Sequence, residues 1–140
     1  MSRPTRALVD AVLAGVRSHA QSVEVQPLCI AIVDAGAHLV AAERWDGAAP
    51  GRFDVAVGKA RAAVLLGVSS RRLGEMAIER PHFLVGLTSA LGPIVPVAGG
   101  VLIVDGDTPV GAIGISGDTS DNDELAAIAG IRAAGLEVGL

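Results

Sequence analysis

The chain has 140 residues, a formal net charge of −4 and a hydrophobic fraction of 51%, with a mean hydropathy of +0.53. That length supports one domain, residues 1–140, around one core, and that hydrophobicity excludes a disordered chain. No Lys/Arg cluster exists beyond Arg71-Arg72 and aromatics are only 2%, so neither phosphate neutralisation nor base stacking has its material and a nucleic-acid partner is excluded.

The first element predicted is a helix from Arg3 to about Ser22, with Ala7, Leu8, Ala11, Val12, Gly15, Val16 and Ala20 near one face and Pro4 in its first turn. Leu28 to Val33 is a continuous apolar run and reads as a strand buried on both faces. Asp34-Ala-Gly36 turns the chain, and His38 to Arg44 returns as a second strand. Trp45 to Gly51 is a breaker-rich loop, followed by a helix from Phe53 to Leu66 stopped by Gly67. A short helix from Arg71 to about Glu79 ends at Pro81, and His82 to Pro93 reads as an irregular apolar segment.

Strands are predicted at Ile94–Val97, Val101–Val104 and Val110–Ile115, the last two joined by an Asp105-Gly106-Asp107 hairpin turn. Gly111, Gly114 and Gly117 recur at intervals of three, which marks a bulge or a close approach to the backbone. A final helix runs from Asp121 to about Glu137, with acidic residues favoured in its first turn. Hairpins flanked by long helices call for a three-layer α/β/α arrangement around a five-stranded antiparallel sheet. Leu84 to Val104 carries no charge, but Pro93, Pro96 and four glycines fall inside it, so a membrane span is not expected. The same stretch is long for a small domain to bury, and it predicts a homo-oligomer, a dimer or larger. No signal peptide pattern opens the chain, so the expected compartment is the cytoplasm.

Several chemistries are poorly supported. Cys29 is the single cysteine and sits in an apolar strand, which predicts a buried, inert thiol and no disulfide. No histidine/carboxylate cluster has metal-ligand spacing, so no structural or catalytic zinc is expected. Gly111-x-x-Gly114-x-x-Gly117 is not a dinucleotide fingerprint, and the acidic helix start after it would repel a pyrophosphate. Ser116 in Gly-Ile-Ser-Gly lacks the spacing of a nucleophile elbow.

An ordered set of short motifs carries more information. It comprises Val33-Asp34-x-Gly36-x-His38-Leu39, Arg44-Trp45-Asp46-Gly47-Ala48, Lys59-Ala60-x-Ala62-Ala63 and Gly99-Gly100. It continues with Asp105-Gly106, Val110-Gly-Ala-Ile-Gly-Ile-Ser-Gly117, Asp123-Glu124 and Ala129-Gly130. In order and approximate spacing, from about Leu28 to Gly130, this set resembles the GlcG/HbpS family of haem-binding-type domains, also found at the C-terminus of PduO. The resemblance implies an α/β (α+β) profilin-like fold and frequent homo-oligomers. For some members it implies binding of haem or a related tetrapyrrole. One departure is visible: the family's Gly-Gly-x-Pro block is here Gly99-Gly100-Val101-Leu102.

Three functional readings follow. The first is a small-molecule-binding module, with haem as candidate cofactor, acting as carrier, sensor or scavenger. His82 is then the first choice for iron ligand, because Phe83, Leu84 and Val85 offer an apolar wall in an irregular segment. His19 is the second choice, since the resemblance implies a first-helix histidine in some members. Gly99 and Gly100 are candidate ligand contacts. The second reading is a small catabolic enzyme acting on an organic acid. Arg44 and Lys59 then hold a carboxylate, Asp46 or Glu124 serves as acid/base, and a desolvated Lys59 is a candidate Schiff-base amine. In the bland version of this cluster, Lys59 only ties its helix to the Asp46 loop through a salt bridge. The third reading is an oligomeric scaffold without a ligand.

Overall fold

Polar caps and turn residues divide the chain into its elements in the computed structural model, which describes residues 4–140. Helix α1 (Arg6–Ser22) starts at Thr5, whose Oγ1 accepts a hydrogen bond from Leu8 N at 3.2 Å. Pro4 therefore precedes the cap, and the expected start at Arg3 lies outside the described residues. Strands β1 (Cys29–Asp34) and β2 (Leu39–Arg44) form the first hairpin. Its turn is held by Asp34 Oδ1, which accepts from Gly36 N at 2.9 Å and His38 N at 3.0 Å. Helix α2 (Gly51–Leu66) ends where Gly67 adopts φ 70. Helix α3 (Ser70–Glu79) is capped by Ser69 Oγ, and helix α4 (Pro81–Leu91) follows with proline at its first position. Strands β3 (Gly100–Asp105) and β4 (Thr108–Ser116), helix α5 (Ser120–Ala133) and strand β5 (Glu137–Gly139) complete the order.

The strands make one open antiparallel sheet in the order β2-β1-β4-β3-β5. Alternation sends Ile30, Ile32, Val101, Ile103, Ile113 and Ile115 to one face, under Val9, Val12, Val16, Ala127 and Ile131 of α1 and α5. The opposite face is built from small residues and takes α2: Ala31, Val33 and Ala112 meet Ala56, Ala60 and Ala63. Gly114 shows how near α2 lies, because a Cβ there would sit 2.0 Å from the Ala56 carbonyl oxygen. Helices α3 and α4 pack outside α2 through Leu73, Leu84 and Leu87, joined by Ile94 of the segment that follows α4. The three-layer α/β/α fold and the five-stranded antiparallel sheet are those expected.

Three elements differ from expectation. The segment expected to be irregular, His82 to Pro93, is helical through Leu91, because Pro81 is admissible at a helix start and Gly92 supplies the stop. Ile94–Val97 is not a strand. Pro93 and Pro96 remove backbone donors, and the segment bonds to helices instead: Val95 N donates to Gly58 O at 3.1 Å, and Val97 O accepts from Ser70 Oγ at 2.6 Å. The last helix stops at Ala133 rather than near Glu137, because Gly135 at φ 77 breaks it, and the released residues 137–139 pair with β3 as the fifth strand.

Candidate functional site

Two charged centres are built on this frame, one inside and one at the surface. The inner one is Lys59, on the face of α2 turned to the sheet and only 2% exposed. Its Nζ donates to the Ile115 carbonyl at 2.9 Å and to Asp123 Oδ2 at 3.2 Å. Asp123, in the first turn of α5 and equally buried, accepts the Asp118 backbone N–H on Oδ1 at 2.9 Å. Burial pushes the Lys59 ammonium below the ordinary lysine range; Asp123 opposes this, and the nearby Arg52 charge adds to it.

Gly99 and Gly100 close over this lysine. A Cβ on Gly99, at φ +132, would lie 2.8 Å from Lys59 Cδ and Nζ, and one on Gly100 would lie 2.1 Å from the Lys59 carbonyl oxygen. The Gly-Gly pair is thus where the backbone passes a buried side chain. The salt bridge of Lys59 runs to Asp123, not to Asp46, and its ammonium is turned inward, away from the surface on which Arg44 and Asp46 lie. The structure does not bring Lys59 and Arg44 together as one exposed carboxylate grip. Glu124 is committed elsewhere, accepting from Arg71 Nε at 3.1 Å.

The outer centre is an open groove of about 490 Å³ between the last turns of α1 and the end of β2, lined by Arg17, Ala20, Gln21, Glu43, Arg44, Trp45 and Asp46. Its wall is fixed by a chain of bonds. Arg17 meets the Glu43 carboxylate through both Nε, at 3.0 Å, and Nη2, and Trp45 Nε1 donates to Glu43 Oε2 at 2.8 Å. The Arg17 guanidinium holds the Glu43 carboxyl below its ordinary range, against a smaller opposing push from burial.

His19 lies on the same helix end and lines a separate cleft of about 110 Å³ with Val23, Glu24, Val25, Asn122 and Leu125. Val23 and Leu125 are 44% and 55% exposed there, so the imidazole has exposed apolar side chains beside it, together with Glu24 and Asn122. His82 is placed otherwise than expected. It is an exposed residue in the first turn of α4, and the neighbouring Phe83 ring is covered by the Arg80 guanidinium at 4.4 Å. Sequence reasoning alone does not single out Arg17, Glu43 or Arg52, nor Asp123 as a lysine's partner. Each is isolated in the chain, and its partner lies between 26 and 64 residues away.

Among the described residues, no three His, Cys, Asp or Glu side chains are grouped to hold a metal ion, and no helix is long and apolar enough to cross a membrane.

An open antiparallel sheet between a pair of helices and a helical layer, with a buried lysine under a Gly-Gly passage, defines an α+β domain of the kind implied by the motifs. The chain belongs to the family described as haem degrading protein HbpS-like, whose sequence model matches residues 5–132. Solved structures share the fold. Klebsiella pneumoniae ORFY is 24% identical, with a TM-score of 0.86 over 96% of this chain and 92% of that one. PduOC, solved as a haem complex, is 24% identical with a TM-score of 0.86 over 99% of each chain. A double mutant of Streptomyces reticuli HbpS is 24% identical with a TM-score of 0.82, over 94% of this chain and 87% of that one. No curated protein matches the chain.

Proposed function

We propose that this chain, as a single domain, is a small-molecule-binding module that takes haem or a related tetrapyrrole at the C-terminal end of α1. The observation that carries the reading is the position of His19, an imidazole with exposed apolar side chains beside it, next to a groove that holds a flat indole and cationic side chains. Family membership and the solved PduOC haem complex support it. The residues present fit the group. The groove falls within the roughly 300–1,000 Å³ of ordinary ligand pockets, whereas the His19 cleft does not enclose a macrocycle. A tetrapyrrole would therefore lie over His19, Val23 and Leu125, with one edge toward the groove rim at the end of β2. Bound haem would supply an iron centre with an open coordination position. His19 would hold the iron, and Val23 and Leu125 would exclude water from one face.

The test is a haemin titration followed at the Soret band. Binding is expected in the wild type and in His82→Ala, with a shifted band and weaker affinity in His19→Ala. Wild-type spectra and affinity in His19→Ala would remove the site, and no Soret shift in any form would remove the reading.

We also read the protein as a cytoplasmic homo-oligomer. Its one cysteine is free and buried, in keeping with a reducing compartment. Helix α4 buries no residue within one chain, and Val85 is 71% and Ile78 83% exposed on its side of the molecule. Sedimentation is expected to show a dimer or larger, reduced to monomer by Val85→Glu. A wild-type monomer at micromolar concentration would overturn this.

A further inference from the structure

We infer that Arg44 and Arg52 form a separate clamp for a small oxyanion over Ser116, on the α2 face of the sheet. The strand register sets the floor. Cys29 of β1 lies opposite Arg44 of β2 on one side and Ser116 of β4 on the other, so the three residues form one row across the sheet. Alternation puts that row on the face covered by α2, since Cys29 packs with Ala31 and Ala56. Arg52, in the first turn of α2, reaches down to the row, and its Nη1 donates to Ser116 Oγ at 3.3 Å. Arg44 and Arg52 both act electrostatically on the Cys29 thiol, lowering it against the larger upward push of burial, as their places beside that row imply.

What marks the pair is that neither has a carboxylate partner. Among the described residues, Arg6, Arg17, Arg71 and Arg72 have carboxylate partners. Arg61 donates to the Leu91 and Pro93 carbonyls, and Arg80 covers Phe83. Arg44 and Arg132 are left without a partner among the described residues and Arg52 has only the Ser116 hydroxyl; Arg44 and Arg52 both belong to the Cys29 row. Glu43, next to Arg44, is taken by Arg17, and Asp46 and Asp54 are exposed and bridge to neither arginine. Lys59, one layer deeper, is already matched by Asp123.

Two guanidinium forks, one of them held from beneath by the buried Ser116 hydroxyl, suit a ligand with planar or tetrahedral oxygens, a small carboxylate or a phosphate. Arg44 also lines the groove at α1 and Arg52 does not, so Arg52 is the residue that separates this site from the haem reading.

The experiment is calorimetry and thermal melting of the full chain at low ionic strength, with acetate, succinate and inorganic phosphate against chloride at matched ionic strength. At least one oxyanion is expected to bind saturably and raise the melting temperature. Which of them does so separates a carboxylate site from a phosphate site. Arg44→Ala and Arg52→Ala should each weaken binding by about tenfold or more, the scale of a lost charge-assisted hydrogen bond, while Arg132→Ala should not. Melting in chloride checks that the variants fold. No saturable binding beyond chloride, or full binding in Arg52→Ala, would overturn the clamp. Haemin provides the cross-check. Unchanged haemin affinity in Arg52→Ala is expected; an equal loss of haemin and oxyanion binding would overturn a separate site. Failure of haemin in the wild type, with oxyanion binding intact, would remove only the haem reading.

Discussion

Lys59–Asp123 and Arg17–Glu43 are both long-range ion pairs that tie a helix to a distant segment, yet they do different work. Each partner of the first is at most 3% exposed, and the pair is anchored by the Ile115 carbonyl and the Asp118 amide. The side chains of the second are 52% and 22% exposed and reach water along the groove. In the interior, the loss of hydration outweighs every other contribution to an unpaired charge, so each charge depends on its partner. At the surface, water screens both charges and the bond fixes geometry more than it adds stability. The contrast separates residues that hold the fold from residues that shape a binding surface.

The largest effect is expected at the inner pair. Lys59→Met leaves Asp123 charged and buried without a cation, and should cost about 3–5 kcal/mol in denaturant unfolding. A double variant, Lys59→Met with Asp123→Leu, removes both charges and should recover most of that loss. A Lys59→Met loss of about 0–1 kcal/mol would mean that the pair behaves as an exposed bridge. The lysine also sets a pH dependence. Its folded pKa is depressed, so between that value and the ordinary lysine value the unfolded chain binds more protons. Stability should therefore rise with pH across this alkaline window in the wild type, and the rise should be absent in the double variant.

The next effect is expected at the backbone that covers Lys59. Gly100→Ala places a methyl group 2.1 Å from the Lys59 carbonyl oxygen, which is helix backbone and unable to swing aside. A destabilisation of about 1–3 kcal/mol is expected from forced separation of α2 and β3. Gly51→Ala is the control, since its Cβ meets nothing within 4 Å. Equal melting temperatures for the two variants would show that α2 is not held as close as the structure has it.

The same contrast explains what is legible in the sequence. Strands β1, β3 and β4 follow from apolar runs and turn residues, because alternation and hairpin chemistry are local properties. Ile94–Val97 reads as the fifth strand because the run is apolar. The two prolines around it decide otherwise, and Glu137–Gly139 gains strand character only from its pairing with β3. Helix α4 escapes sequence reading because glycine, proline and serine obscure a face carried only by Leu84, Leu87 and Leu91. At the sites, Lys59 and the Gly-Gly pair stand out as residue types, but their mutual packing does not. Asp123 reads as a helix-dipole acid, and only the tertiary fold turns it toward a lysine 64 residues away. His82 draws attention through its apolar neighbours, which are turned into a helix that leaves the imidazole outside.

The smallest effect is expected at the outer pair, and it tests whether geometry and stability separate there. Arg17→Ala removes the cation that orients Glu43, and through Glu43 the indole of Trp45. With the side chains partly in water, the unfolding free energy should fall by only about 0–1 kcal/mol. Glu43 has a depressed folded pKa, so its contribution is present above the ordinary glutamate value and is lost as pH falls through the depressed value. The wild type should lose slightly more stability than Arg17→Ala over that acidic range. Trp45 is the single tryptophan, so its fluorescence reports the groove wall directly. Arg17→Ala should shift its emission or its quenching by iodide while melting stays nearly constant. A large loss of stability with unchanged Trp45 emission would make Arg17–Glu43 a structural pair like Lys59–Asp123 and erase the distinction between the two centres.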